Sequence, residues 1–398
     1  MRRMLRALLT ALLMLVLVFT GTAAGGAGRG TLVSARQLYV LASPDAVGTD
    51  LAAAGFGTDT VRYGVDAYQL VYRTVDPHGR ATTASGLLVV PHDRRGVLRV
   101  VSYAHGSELR RDAAPSTSPH GFNAAPAVTF AAAGFAAVAP DYVGLGVGPG
   151  SHPWLNVPSA AAASLDLLRA ARRFLPTTGR AALPSVLSTG FSQGGAVAVG
   201  LGKVLRDGGF SLGAAAPIAG AYAVRDAQLP AMLAGAVDPK LSVLNAAYAL
   251  VAFDRVFDVY ADPADVFAVP YAGTVEGLVD GAHSWQELAG GTPNTMTELL
   301  TPTGVALLSS PTGTMVDALA AADGACRGWA PRVPVRLYVA TGDEQVVAGN
   351  STHCQQDFAA NGVTVPIVDL GAQDHLGSRH FGANVAGTAD VTRWFARL

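Results

Sequence analysis

Short, continuous apolar runs alternate along this chain with stretches of helical spacing. Residues 68–72 and 84–90 read as strands on either side of a turn at Asp76-Pro77-His78-Gly79. Residues 97–104 form a β-rich run ending in His105-Gly106, and residues 135–139 form another ending in Pro140-Asp141. Residues 159–175 carry Leu165, Leu168, Ala171 and Leu175 at helical spacing and stop before Pro176. A strand over 185–189 then leads into a small-residue helix over 194–205. Further on, strands over 335–341 and 363–370 alternate with helices over 345–360 and 382–398. Strands that are apolar throughout, alternating with helices, predict a mostly parallel, doubly wound α/β sheet covered on both faces, with an antiparallel hairpin at one edge. The alternation breaks between 219 and 330, where 253–260 and 266–278 read as helical. Residues 220–330 are therefore expected to be an inserted helical cap over the carboxyl edge of the sheet.

The start of the chain follows a different pattern. Arg2, Arg3 and Arg6 precede an uncharged, mostly aliphatic run over 7–19, and small residues Gly21, Thr22, Ala23 and Ala24 come next. This is the order of a cleaved export signal, expected over 1–24. The run is shorter than the roughly 20 residues a spanning helix needs. The mature chain, 25–398, is expected outside the cytosol with no stable membrane span.

Charge narrows the functions available. Lys+Arg number 28 against 29 Asp+Glu, giving a formal net charge of -1, and charged residues make up only 14%. Disorder is excluded by that composition, and nothing supplies the positive field a nucleic-acid partner demands. The two cysteines, Cys326 and Cys354, suit an oxidising compartment and are expected to pair. Closing a loop of that length stabilises by about 3 to 4 kcal/mol on chain-entropy grounds. Two cysteines cannot build a thiolate zinc centre. No His/carboxylate cluster has ligand spacing and no phosphate-cradling motif lies in the right context, so neither metal nor organic cofactor is expected.

Candidate chemistry centres on Gly190-Phe191-Ser192-Gln193-Gly194-Gly195. A GxSxG string carries little weight alone in a chain with 46 glycines, but this one falls where a strand is expected to turn sharply into a helix. Such an elbow lifts a serine hydroxyl clear of the sheet, and the flanking positions must be glycine because a side chain would strike the neighbouring strand or helix. The following helix aims its N-terminal dipole at the same place. A nucleophilic serine needs a base, and the base an orienting acid, in the chain order Ser, Asp or Glu, His. Five of the nine histidines precede Ser192, His283 lies in the insertion, and His353 sits beside Cys354 on an expected helix. Two remain. His375, in Gln373-Asp374-His375-Leu376-Gly377 just after an expected strand, is the preferred base, and His380, close to the last helix, is the alternative. Asp343 follows the preceding strand and is the expected acid, with Glu344 as the alternative. The oxyanion donors are expected to be the backbone N–H of Gln193 and that of Ser107 or Gly106. His105, Asp141 and His152 read as loop scaffolding.

With these residues in place the chain resembles bacterial secreted α/β-hydrolases close to the secretory lipase family. The resemblance rests on Tyr103-Ala104-His105-Gly106, on the run Ala139-Pro140-Asp141-Tyr142-Val143-Gly144-Leu145-Gly146, on the serine elbow, and on the Asp343 and His375 loops, from about Val61 onward. It implies an α/β-hydrolase fold with Ser192, Asp343 and His375 as the triad and a helical cap over an acyl pocket. One departure concerns the acid: many relatives keep two residues between the glycine and the acid, whereas Gly342 directly precedes Asp343. The implied activity is hydrolysis of a small-molecule or lipid ester through an acyl-enzyme. Phe253, Phe257, Phe267, Leu278 and Trp285 in the insertion suit an acyl chain. A serine peptidase or acyltransferase would use the same constellation, and a non-catalytic binding protein would show a missing triad member.

Overall fold

The computed structural model describes residues 28–398 and the pair Leu17–Val18. Apart from that pair, the expected leader over 1–24 lies outside the described residues. Ten strands form one sheet: β1 (Leu17–Val18), β2 (Leu32–Leu41), β3 (Val65–Val75), β4 (Ala81–Pro91), β5 (Gly96–Ala104), β6 (Ala136–Pro140), β7 (Arg180–Phe191), β8 (Ser211–Ile218), β9 (Leu337–Val339) and β10 (Ile367–Asp369). Their spatial order is β1-β2-β3-β4-β6-β5-β7-β8-β9-β10. The first four pair antiparallel, β4 joins β6 antiparallel, and from β6 to β10 every pairing is parallel. The sheet is thus mostly parallel with an antiparallel edge, as the apolar runs predict.

Both faces are covered. Helices Ala125–Ala132 and Arg379–Arg397 pack on one face, burying Phe130, Val391 and Phe395 against Val101, Leu187 and Ala216. Helix Val157–Phe174 lies on the other, with Leu165, Leu168 and Phe174 against Leu88, Val100 and Val138. It opens under Asn156, whose side chain accepts the Ser159 N–H, and Pro158 stands in its first turn.

Several elements depart from the sequence expectation, and one departure, the start of the last helix, repositions chemistry. Strand β7 begins at Arg180, well before residue 185, because its first half pairs with β5. Strands β9 and β10 are only three residues each. The last helix starts at Arg379, not at 382, because the Ser378 hydroxyl accepts the Phe381 N–H and caps it there.

Between β8 and β9 the chain becomes helical, the longest element being Pro239–Phe257. The expected helix over 253–260 ends early, at Phe257, where Asp258 turns left-handed with φ 52°. The expected 266–278 helix is three short pieces, Pro263–Val266, a 3-10 turn at Tyr271–Gly273 that follows Pro270, and Val275–Leu278. These helices bury their own apolar cluster, including Val243, Leu250, Phe253, Phe267, Leu299 and Leu319. That cluster reaches the sheet through Leu109, Trp154 and Leu155, on the loops after β5 and β6. Trp154 stacks on Tyr248 at 4.5 Å between ring centroids, and the Tyr248 hydroxyl donates to the Glu108 carbonyl at 2.8 Å. Cys326 and Cys354 form a buried disulfide with Cα atoms 5.2 Å apart, tying the end of this segment to helix Gly349–Ala360. Among the described residues no single helix is long and apolar enough to cross a membrane.

Candidate active site

Ser192 joins β7 to helix Gln193–Val204 in a conformation that side chains rarely adopt, φ 58° and ψ -123°. Its N–H donates to the Ile218 carbonyl at 2.9 Å and its carbonyl accepts from Gly195 at 2.8 Å. Neighbouring backbone enforces the bend. A Cβ on Gly190 would lie 2.3 Å from the Gly194 carbonyl oxygen, and one on Gly194 only 2.0 Å from the Ala104 oxygen. Both glycines are therefore steric requirements of the elbow, as GxSxG demands.

The imidazole that meets Ser192 belongs to His380. Its Nε2 is 2.9 Å from Ser192 Oγ and its Nδ1 is 2.8 Å from Asp343 Oδ2. The ring and the carboxylate are almost fully buried, with side chains 2% and 6% exposed. Phe191 lies against the ring at 4.5 Å between centroids. The other oxygen of Asp343 accepts the backbone N–H of Gln345 and Val346, each at 2.9 Å. With both oxygens occupied, the carboxylate is locked in orientation, and its bond to Nδ1 leaves Nε2 free to accept from the serine.

The expectation for His375 is corrected here. Its imidazole stacks on Phe122 at 5.4 Å and fills the space above Gly55, where a Cβ would lie 2.2 Å from His375 Cε1. The reason is a tight turn. Ser378 N–H donates to the His375 carbonyl at 3.1 Å, and the two residues between, Leu376 and Gly377, both have positive φ, 53° and 83°. The turn sends His375 back toward Gly55 and delivers Ser378 as the cap of the last helix, so His380 falls in that helix's first turn. The sequence did carry a signal for this: serine followed by Arg379-His380-Phe381 is an N-cap ahead of a helical pattern.

Asp343 rather than Glu344 meets the ring. Glu344 binds elsewhere: Oε1 accepts from the Ser378 hydroxyl, and Oε2 accepts the backbone N–H of Arg379 at 3.0 Å and of His380 at 3.3 Å. Burial works to raise its pKa, but the Ser378 hydroxyl and the backbone amides outweigh it and hold the carboxyl below its ordinary value.

A Cβ on Gly106 would sit 3.0 Å from Phe191 Cδ1 and 3.6 Å from Ser192 Cβ, so the loop passes close to Ser192. Ser107 Oγ accepts from Trp154 Nε1 at 2.7 Å. Gln193 opens the elbow helix, and its side-chain amide donates to His152 Nε2 at 3.0 Å. His152 and His105 flank Tyr142 in a stack, at 5.6 and 4.4 Å between centroids. Burial lowers both imidazoles, to about 4 for His152 and about 3 for His105. Both are thus neutral near pH 7, and each spends Nδ1 on a carbonyl, of Val143 and Gly106 respectively. Tyr142 donates its hydroxyl to the His105 carbonyl at 2.9 Å. The buried Asp141 carboxylate accepts from Ser85 Oγ and from the N–H and hydroxyl of Ser116. These hydrogen bonds tie the loops after β5 and β6 together beside the elbow.

The sequence matches no protein-family model and no curated protein. Solved structures are similar over nearly the whole chain. The rice cell wall degrading esterase LipA from Xanthomonas oryzae is 25% identical with a TM-score of 0.81, over 93% of this chain and 98% of that one. A hydrolase candidate from Legionella pneumophila is 22% identical with a TM-score of 0.82, over 92% and 97%. Candida antarctica lipase A in its closed state is 15% identical with a TM-score of 0.60, over 86% and 76%. The last two likenesses speak for the fold alone. With the LipA likeness, the parallel sheet and the serine elbow, they show that this chain has the α/β-hydrolase fold.

Proposed function

We propose that the protein is a secreted carboxylic-ester hydrolase working through Ser192, His380 and Asp343. The observation that carries the reading is the unbroken chain from Ser192 Oγ through both ring nitrogens of His380 to Asp343 Oδ2. The likeness to an esterase at 25% identity supports the choice of bond. Ser192 Oγ attacks the acyl carbonyl as His380 Nε2 takes its proton. Asp343 holds the resulting imidazolium through Nδ1–H. The backbone N–H of Gln193 and that of Ser107 or Gly106 receive the developing oxyanion, where one donor is worth about 2.7–4 kcal/mol of transition-state stabilisation. Collapse of the tetrahedral intermediate expels the alcohol, protonated by His380, and leaves an acyl-serine. Water, deprotonated by the same imidazole, then releases the acid. Activity falls at acidic pH because an imidazolium cannot accept the serine proton.

Residues 220–330 act as a helical cap in this reading, and their aromatic side chains suit an acyl chain or lipid-like ester. Residues 1–24 act as the export signal, in keeping with the Cys326–Cys354 disulfide. The test is turnover of p-nitrophenyl esters of graded chain length, beside aminoacyl-naphthylamides, by wild type and Ser192→Ala. Ester turnover by the wild type and none above background by the variant is the expected result. Equal rates would sink the proposal, and faster amide cleavage would move it to the peptidases.

A further inference from the structure

Two adjacent carboxylates converge on the residue that carries the imidazole, and they take different parts of it. Asp343 binds the His380 ring, whereas Glu344 binds the backbone that presents the ring. The first amides of a helix have no partner within it. In helix Arg379–Arg397, Glu344 Oε2 takes those of Arg379 and His380, and Ser378 Oγ takes that of Phe381 at 3.2 Å. Ser378 donates its own hydroxyl in a hydrogen bond to Glu344 Oε1. The pattern resembles a capping box, in which an acid at the third helical position bonds back to the cap. Here the acid comes from another loop, 34 residues upstream.

That origin has a mechanical consequence. Glu344 follows Asp343 directly, so one short peptide holds both the imidazole side chain and the helix end from which it projects. Arg379 closes the arrangement from the other side: its guanidinium donates to the Thr341 carbonyl at 3.2 Å and occupies the space a Cβ on Gly342 would need. A carboxylate also suits the positive end of the helix dipole, and bonds to an ionised acceptor are the stronger kind.

We propose that Glu344 is a positioning residue for the base, a clamp from the acid-bearing loop onto the helix end that fixes where His380 Nε2 meets Ser192. The inference rests on the Ser192–His380–Asp343 reading and extends it. Without the clamp, the two amides must find water or the helix must fray by a turn, and His380 sits within that turn. A displacement of about 1 Å in a reacting group can cost 100-fold in rate, whereas both Glu344 oxygens are engaged by the helix end.

The test compares Glu344→Ala, Glu344→Gln and Glu344→Asp in the full chain, well below the melting temperature of each. Glu344→Ala is expected to lower kcat by about 10- to 100-fold with KM within about twofold, and to slow acylation by a fluorophosphonate by the same factor. Glu344→Gln keeps an oxygen for the two amides and should recover kcat to within about fivefold of wild type. Glu344→Asp keeps the charge but is a methylene too short, and should behave as alanine does; it carries the test if Glu344→Ala does not fold. Glu344→Ala or Glu344→Asp with wild-type kcat overturns the clamp, as does a glutamine variant no faster than alanine. A rise in KM alone also overturns it, placing Glu344 in binding instead. Failure of the underlying reading looks different: Ser192→Ala would then keep its ester turnover, whereas a dead Ser192→Ala beside an unaffected Glu344→Ala removes only the clamp.

Discussion

Ser192 stands at the end of a twelve-residue strand between β5 and β8, while Asp343 and His380 stand beyond β9 and β10, which are three residues each. The two halves of the site are held by different physics. At the serine, backbone atoms of neighbouring elements leave no room for a side chain at Gly190 or Gly194, so the bend is enforced by repulsion. At the acid and base, attraction does the holding: Asp343 accepts two backbone amides, Glu344 accepts two more, and Ser378 caps the helix. Repulsion between close backbones is short-ranged and needs glycine at fixed spacing. Hydrogen bonding of this kind joins residues far apart in the chain and tolerates many residue types.

The sharpest way to break the comparison is at the two histidines of the half held by hydrogen bonds. His380→Ala is expected to lower kcat/KM by at least about 10³-fold, as deletion of a triad base does. His375→Ala should stay within about threefold, because its ring packs on Phe122 above Gly55 and not on Ser192. Steady-state kinetics on one chromogenic ester settles the pair. The reverse ranking would mean that the turn at 375–378 rearranges when substrate binds.

The same contrast explains what could be read from the sequence. The parallel sheet was legible because buried strands are apolar throughout, and the elbow because glycine spacing encodes a steric demand. Ser192, Asp343 and the pairing of Cys326 with Cys354 follow from such local or compositional rules. His380 did not, because the choice between it and His375 turned on where the last helix begins. That start is decided by Ser378, by Glu344 from a distant loop, and by a turn that places Leu376 at positive φ, a conformation leucine does not advertise. The breaks in the expected 253–260 and 266–278 helices have a similar cause, a left-handed Asp258 and a turn at Pro270 that apolar spacing does not reveal.

A matched glycine substitution sharpens the comparison. Gly194→Ala places a Cβ 2.0 Å from the Ala104 oxygen and 2.5 Å from that of His105, so β5 and the elbow helix must part. A loss of about 3 kcal/mol is expected, at the upper end of overpacking. Gly377→Ala meets nothing within 4 Å and suffers only from its φ of +83°, costing roughly 1 kcal/mol. Urea denaturation of both variants beside wild type provides the measurement. Equal losses would show that the elbow can relax and is not held by contact.

The smallest effect concerns Leu376, on the attractive side of the site. It is 91% exposed, has a φ of 53°, and is the first of two central residues in the His375–Ser378 turn. A turn with positive φ at both centres favours Asn-Gly, and Gly377 already fills the second place. Leucine there carries left-handed strain of roughly 1 kcal/mol and buries little in return. Leu376→Asn is therefore expected to stabilise the protein by about 0.5–1 kcal/mol, read as a higher urea midpoint at unchanged slope. Its kcat/KM should match wild type, because the turn keeps its shape and Ser378 keeps its cap. No comparable gain is available at Ser192, whose positive φ is fixed by Gly190, Gly194 and the Ile218 carbonyl and is needed to present the hydroxyl. Strain on the elbow side is thus tied to presenting the Ser192 hydroxyl, while strain at Leu376 can be removed. A destabilised Leu376→Asn would show instead that the exposed leucine makes an apolar contact in solution, and that the base-bearing edge leans on more than hydrogen bonds.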